Sequence, residues 1–404
     1  MIKAHEIKLR PTKSQDIFFR KSCGVARFAF NWALNKWQED YKNGVKQSAY
    51  SLIKHLNSIK KTEFTWMQET GKCCSQYAIH HVEHAFKKMW KEKGGYPKFK
   101  KKGQKDSFVA IEKYNDFKQI NNRIWIPRLG WVKCCENLRF DGKVNNVVVK
   151  RIADMWFAVI NIELNEMPIE VSTVSENQTT VGIDMGIKSM MVLSDGTIYE
   201  NPKALKTNLK SLKRLQRGLS RKQKGSINRK KQQTKVARKH YRISCIRKNA
   251  IHQATTVIVK KYDKIVIETL KPENMVKNHK LAQALSDVSF GEISRQLAYK
   301  SKWMGKELVK AEQWFASTKT CSCCGHKKES IKLSKRIYKC DNCGLEIDRD
   351  LNAAKNLAKY SPTSKFEGSE ACGEISESSK VQRNSMNQEV NKLSNKIVQK
   401  CTLS

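Results

Sequence analysis

Two Cys-x-x-Cys-Gly pairs limit what this chain can fold into more than any other feature. They are Cys321 and Cys324 with Gly325, then Cys340 and Cys343 with Gly344, and fifteen residues separate the pairs. Four thiolates at this spacing fit a tetrahedral zinc site. The glycine after each pair lets the knuckle turn so that backbone N–H groups face sulfur. Four protein ligands leave no open coordination position, so the expected Zn²⁺ is structural. Cys323 lies inside the first knuckle and competes as a ligand, but the two-residue spacing and the following glycine favour Cys321 and Cys324. Thirteen cysteines, an odd number, argue against a disulfide framework and for metal binding or free thiols. Just beyond the second knuckle runs Asp348-Arg-Asp-Leu-Asn-Ala-Ala-Lys-Asn356, an acidic helix start. A metal module leading straight into it is expected to position an acid used in chemistry.

Charge narrows the partner. The 404 residues carry 78 Lys and Arg against 38 Asp and Glu, a formal net charge of +40. That excess draws the chain to polyphosphate with strong salt dependence. No apolar run is long enough to span a bilayer, no lipidation signal occurs, and the charged start is unlike a secretory signal. The expectation is an intracellular protein. Between Asn201 and Tyr262 there are twenty Lys or Arg and no acid. A solvated helical hairpin of that composition repels itself, and a polyphosphate partner relieves the cost. Lys210, Lys213, Arg214, Arg217, Arg221, Arg229 and Lys230 are therefore candidate contacts to RNA or heteroduplex. Lys98, Lys100, Lys101 and Lys102, beside Phe99, form a second candidate patch. Such contacts position nucleic acid without reading its sequence.

Periodicity gives the elements. Ile2 to Leu9 reads as a strand, and Thr12 or Ser14 caps a helix to about Tyr41. Another helix is expected near Tyr77–Trp90, then β-rich runs from Ser107 to Leu164. Phe28, Phe30 and Trp32 read as helix core rather than base-stacking groups, and His80, His81 and His84 as a polar helix flank rather than a second metal site. Cys134, Cys135 and Cys245 read as small packing residues. Val181–Asp184, Met190–Leu193 and Thr197–Glu200 are strands, with Ser194-Asp195-Gly196 as a hairpin turn. Leucines 205, 209, 212, 215 and 219 line a helix, Gly225–Asn228 breaks it, and Lys264–Glu268 is a buried strand. After Ser361 the chain turns Ser- and Asn-rich, and 361–404 is expected to be largely disordered.

Asp184 and Glu268 each end an apolar strand. If the strands are parallel neighbours, both acids lie at the carboxyl edge where α/β sheets place their sites. Asp350 begins a helix with Leu351, Ala354 and Ala358 on its packing face. Three such acids suit two Mg²⁺ ions, which clamp the attacking water and the leaving oxygen of a phosphodiester. Taken singly, each acid is as readily a turn former or a helix cap, and Asp348 competes with Asp350 for the third role. The order of hairpin, third strand, basic helices, fourth strand and terminal helix matches an RNase H-like fold.

Gly24–Leu34, Tyr96–Lys101, Val181–Lys188, Ile267–Leu270, Thr320–Gly325 and Asp348–Asn356, in this order, resemble TnpB, the transposon-encoded RNA-guided nuclease family related to type V CRISPR effectors. The resemblance implies a RuvC-like domain with Asp184, Glu268 and Asp350 as metal-binding catalytic acids. It implies a multidomain α+β chain: a wedge-like β-barrel over 1–10 and 96–175, a helical recognition lobe over 11–95, the nuclease domain over 176–320 and 344–360, and a zinc ribbon over 321–343. It also implies a guide RNA from the transposon end, a double-stranded DNA target and a bacterial cytoplasmic setting. Two positions depart from the family pattern: Thr269 follows the glutamate where Asp is common, and Asn249 stands where an Asp precedes His252. Alternatives are a strand-transfer enzyme on the same core, or a non-catalytic nucleic-acid-binding regulator.

Overall fold

The computed structural model describes residues 1–92, 94–111, 117–164, 178–331 and 335–361, apart from the side chains of 279 and 280. The expectation of disorder over 361–404 lies outside the described residues except at Ser361, and all of 165–177 lies outside them too.

The amino-terminal half is built from β1 (Ile2–Arg10), α1 (Lys13–Lys42), α2 (Ala49–Ile59), α3 (Lys72–Glu92) and six further strands. These are β2 (Ser107–Ile111), β3 (Gln119–Ile120), β4 (Arg123–Ile126), β5 (Gly130–Cys134), β6 (Lys143–Ile152) and β7 (Met155–Glu163). Strand β1 alternates, burying His5, Ile7 and Leu9 on one face. Thr12 and Gln15 form a capping box that starts α1. Phe30 is buried, Phe28 packs on Phe64 at 4.8 Å and Trp32 on His55 at 5.3 Å, so this aromatic set belongs to the core. Cys134 is a packing residue as expected, whereas Cys135 and Cys245 are exposed.

The expected β-barrel is not there. The seven strands form an open antiparallel sheet in the order β2-β6-β7-β1-β5-β4-β3. Among the described residues β2 pairs only with β6, and the two-residue β3 pairs only with β4. Helices take the place of closure. Phe19 of α1 sits 5.8 Å from Phe108 of β2 and 5.0 Å from Trp156 of β7, and Cys74 of α3 donates its thiol to the Val109 carbonyl. A sheet face filled by helix side chains in this way buries its apolar residues without curling on itself.

The second half begins with β8 (Thr180–Asp184), β9 (Ser189–Leu193) and β10 (Ile198–Glu200). A helical hairpin follows, α4 (Ala204–Ser220) and α5 (Ile227–Lys261), then β11 (Lys264–Glu268), α6 (Pro272–Val276), α7 (His279–Val288), α8 (Phe290–Trp303) and β12 (Glu307–Ala311). The small strands β13 (Ile337–Lys339) and β14 (Glu346–Asp348) precede α9 (Arg349–Ala358). The sheet order is β10-β9-β8-β11-β12, with β8, β11 and β12 parallel and β9 antiparallel to both neighbours. This is the RNase H-like connectivity expected from the chain order. Strand β11 is apolar throughout because both its faces are covered. Ile265 and Ile267 pack with Ile251, Ile258 and Val259 of α5, while Val266 packs with Leu357 of α9.

The contact between α9 and β8 is closest at Gly182. A Cβ there would lie 2.1 Å from the Ala354 carbonyl oxygen and 2.3 Å from the Ala358 nitrogen, both backbone atoms. Gly182→Ala should lower unfolding stability in a denaturant melt by about 1–3 kcal/mol, the usual cost of overpacking. Gly291→Ala, in an open helical position, should leave stability unchanged or slightly raised. Equal melts for the two variants would show that α9 is not seated on β8 in this way.

Candidate active site and metal centre

Parallel pairing of β8 with β11 places Ile183 beside Ile267, so Asp184 and Glu268 leave the same edge of the sheet. Helix α9 lies across β8 and brings its first turn to that edge. Asp184 is pushed up to about 8, first by burial, then by the negative charges of Glu268 and Asp350, with Arg349 opposing. The three acids thus share one electrostatic environment. Their oxygens are not drawn into a tight group as the four thiols are: each has its own neighbour. Glu268 accepts a hydrogen bond from Ser317 Oγ at 2.5 Å. Asp350 faces Arg336 at 3.5 Å and Arg349 at 3.4 Å.

Asp348 and Asp350 play different structural parts at the start of α9. Asp348 is the N-cap of α9, accepting from the amides of Asp350 at 2.9 Å and Leu351 at 3.0 Å. The Asp350 carboxylate, at the positive end of α9, lies by Arg336 and Arg349, and its charge adds, as that of Asp348 does, to the burial that pushes Asp184 up. Asp195 is a hairpin residue as expected. Its carboxylate accepts from the Thr197 amide, Lys261 and Tyr262, and these partners hold its pKa far below the usual range against the opposing effect of burial.

Thr269 donates to the Ala311 carbonyl at 2.6 Å and so ties β11 to β12 beside Glu268. Asn249 is exposed. His252 lies next to buried Lys300, whose ammonium reaches the His252 carbonyl at 2.8 Å and the hydroxyls of Thr255 and Thr256. Arg247 donates to the Ser286 carbonyl at 2.6 Å. These residues tie α5 to α7 and α8 rather than joining the acids.

The four thiols of Cys321, Cys324, Cys340 and Cys343 all lie within 4.8 Å of one another. Cys321 and Cys343 are 3.7 Å apart and Cys324 and Cys340 are 3.5 Å apart. Tetrahedral ligation with Zn–S bonds of about 2.3 Å requires sulfurs roughly 3.8 Å apart, so the set fits zinc. Gly325 and Gly344 adopt φ of +77° and +71°, and their amides bond back to Cys321 and Cys340 carbonyls at 3.0 and 3.1 Å. Cys323 is exposed and outside the cluster. Among the described residues His80, His81 and His84 build no comparable group.

Sequence reasoning missed the joint between ribbon and sheet. Buried Asn352 and Asn356 stand four residues apart, hence on one face of α9. Asn352 donates to the Thr320 carbonyl at 2.7 Å and accepts from the Ser322 amide at 2.9 Å. Asn356 donates to the carbonyls of Ser317 and Thr320 at 2.7 and 2.6 Å. The i, i+4 asparagine pair was the available signal.

The basic candidates divide. Lys98, Lys100, Lys101, Lys102, Lys210, Lys213, Arg214, Arg217, Arg221 and Lys230 are exposed. The Lys100 ammonium lies 4.1 Å from the Phe30 ring centre, and Arg229 donates to the Leu219 and Lys222 carbonyls, closing the α4–α5 turn.

Residues 161–279 match a family model described as "Probable transposase" (OrfB_IS605), and residues 290–357 match "Cas12f1-like, TNB domain". Residues 1–46 match "Helix-turn-helix domain", although here they form β1 and the single helix α1. The Escherichia coli protein "Putative RNA-guided DNA endonuclease InsQ" is 32% identical over 377 residues, covering 88% of this chain and 91% of that one. A Streptomyces pristinaespiralis relative, "Putative RNA-guided DNA endonuclease", is 32% identical over 397 residues and covers 96% of each. The chain belongs to the TnpB family. In fold it is similar to the protein of a Cas12f1-sgRNA-target DNA complex solved by cryo-EM, with TM-score 0.53 and 17% identity over 86% of this chain and 83% of that one. No described helix is long and apolar enough to cross a membrane.

Two predictions follow from the acids and thiols. Asp184 is near 3.8 when unfolded and about 8 when folded, so the native state binds the extra proton between those values. Its contribution therefore falls as pH rises from about 4 to about 8. In metal-free protein, the stability difference between wild type and Asp184→Asn should drop across that window, and Mg²⁺ should flatten the drop. A difference independent of pH would remove the electrostatic account. For the ribbon, Cys340→Ser should abolish bound zinc in an elemental assay, whereas Cys323→Ser should retain it.

Proposed function

We propose that the chain is a metal-dependent, RNA-guided DNA endonuclease of a mobile element. What supports this reading is the parallel register that ends β8 and β11 together at Asp184 and Glu268, the charges of Glu268 and Asp350 felt at Asp184, and membership of a family whose relatives carry that description. The carboxylates supply hard oxygen donors whose mutual repulsion a divalent cation relieves. When bound there, two Mg²⁺ ions supply an activated water and charge stabilisation for the leaving oxygen. Asp184, Glu268 and Asp350 hold that site, Ser317 orients Glu268, and Arg336 and Arg349 hold Asp350 until the site is loaded. The products are a 5′ phosphate and a 3′ hydroxyl.

In this reading the acid-free α4–α5 hairpin, with Lys210, Lys213, Arg214, Arg217, Arg221 and Lys230 outward, contacts guide RNA or the heteroduplex backbone. Lys98, Lys101 and Lys102 form a second backbone contact. Helices α1–α3 serve as the recognition lobe. Base pairing with the guide then selects the target sequence, so the protein needs few base contacts of its own.

The test starts with the RNA that co-purifies when the protein is expressed with its native flanking DNA. A discrete transcript from the element end is expected. With that guide and Mg²⁺, a matched duplex should be cut, and Asp184→Ala should abolish cutting while RNA retention persists. Cutting by Asp184→Ala would refute the site. Joined donor and target DNA would instead establish strand transfer.

A further inference from the structure

Trp314 is 88% exposed, more than any other large apolar residue described. A tryptophan so placed leaves a large apolar face in water, which folding alone does not favour. Its neighbours are firmly held. Ala311, the last residue of β12, pairs in register with Glu268, and its carbonyl accepts from Thr269. Three residues beyond Trp314, Ser317 is buried and donates to Glu268. Both ends of the Glu312–Ala316 loop are thus pinned at the same acid. Three residues of chain reach at most about 11 Å, so Trp314 stands within that distance of the acid edge along the backbone.

The loop itself is not slack. Phe315 turns inward, 4.9 Å from the Tyr360 ring, with Val266, Ala311 and Leu357 nearby. The Glu312 amide donates to the Tyr360 hydroxyl at 3.3 Å, and the Phe315 amide to the Glu312 carbonyl at 3.0 Å. With Phe315 anchored inside, its neighbour is presented outward on a fixed base. Exposed Lys310 on β12 adds positive charge on the approach.

A solvent-facing indole on a pinned stretch of backbone, beside carboxylates proposed to act on a phosphodiester, suits one ligand chemistry above others: the flat face of a nucleobase. Stacking on a single aromatic ring is sequence-tolerant, since every base has such a face, and this fits a nuclease whose sequence choice lies elsewhere. The bases of an intact duplex are already stacked on each other, so the strand must arrive unpaired.

We infer that Trp314 is a positioning residue, a stacking platform for one nucleobase of the single DNA strand held next to the proposed acid site. The inference rests on the nuclease reading above and adds to it how the strand is steadied for cutting. Removing one base–aromatic stack should weaken cleavage at sub-saturating DNA roughly tenfold.

The test uses the full chain with its guide RNA. Trp314→Ala should reduce kcat/KM about tenfold through KM, and Trp314→Phe should restore it to within about twofold. In the Asp184→Ala background, which does not cut, single-stranded DNA bearing 5-iodouracil beside the cut position should photo-cross-link to Trp314, identified by mass spectrometry. This second measurement uses the native side chain and does not depend on how the alanine variant folds. Wild-type kinetics in Trp314→Ala, or cross-links that map elsewhere, would overturn the stacking role. Absence of cutting by wild type itself would count against the nuclease reading instead.

Discussion

Two backbones touch at Gly182, and the placement of the acid site depends on that approach. Helix α9 rests on β8 so closely that the space for one methyl group is already occupied by helix carbonyl and amide atoms. The same contact sets the axial position of α9, and hence how near its first turn comes to the end of β8. Asp350 comes near enough for its charge to be felt at Asp184 because no side chain stands between the helix and the strand at Gly182. The neighbouring parallel pair β8–β11 fixes Glu268 independently, through register rather than helix packing. Two different kinds of constraint therefore converge on one edge of the sheet.

Electrostatics explains how a chain of charge +40 keeps its few acids where they are needed. At the sheet edge the acids are set against one another, and burial raises Asp184 to about 8. Elsewhere single acids serve basic segments that have none of their own. Buried Asp287 accepts from the amides of Leu205 and Lys206 and thereby caps α4, whose own N-cap residue, Lys203, makes no side-chain bond. Asp195 likewise holds Lys261 at the end of α5. The acid-free hairpin is thus anchored at both ends by carboxylates borrowed from outside it; between them Arg238 pairs with Asp154, and the exposed Lys and Arg of α4 are left as a basic surface.

What was legible in the sequence was local. The knuckle spacing named four thiols, two strand ends and a helix start named three acids, and the run of elements gave four of the sheet's five strands, with β12 missed. Periodicity could not decide whether the amino-terminal strands close. That outcome depends on which element covers the edge of β2, and Phe19 from α1 does so through contacts far apart in sequence. Charge counting likewise could not separate an arginine on the surface from Arg229, half-buried in the hairpin turn. Trp314 left no mark in the sequence, because an aromatic residue beside another normally reads as core.

The ribbon does more than fold a loop. Its flanks touch the acid site from two directions: Ser317 before the first knuckle bonds Glu268, and Arg336 before the second faces Asp350. Asn352 and Asn356 clamp the carbonyls between Ser317 and Thr320 to the buried face of α9. Four thiols held as one rigid group therefore fix the path of both flanks. Without such a crosslink these short strands have little to hold them, since β13 and β14 are three residues each and their core is one tyrosine and two cysteines with three partly buried aliphatic residues. A core that small needs a staple. The cluster of four thiols thus bears on the placement of Glu268 and Asp350 through its flanks, without touching either.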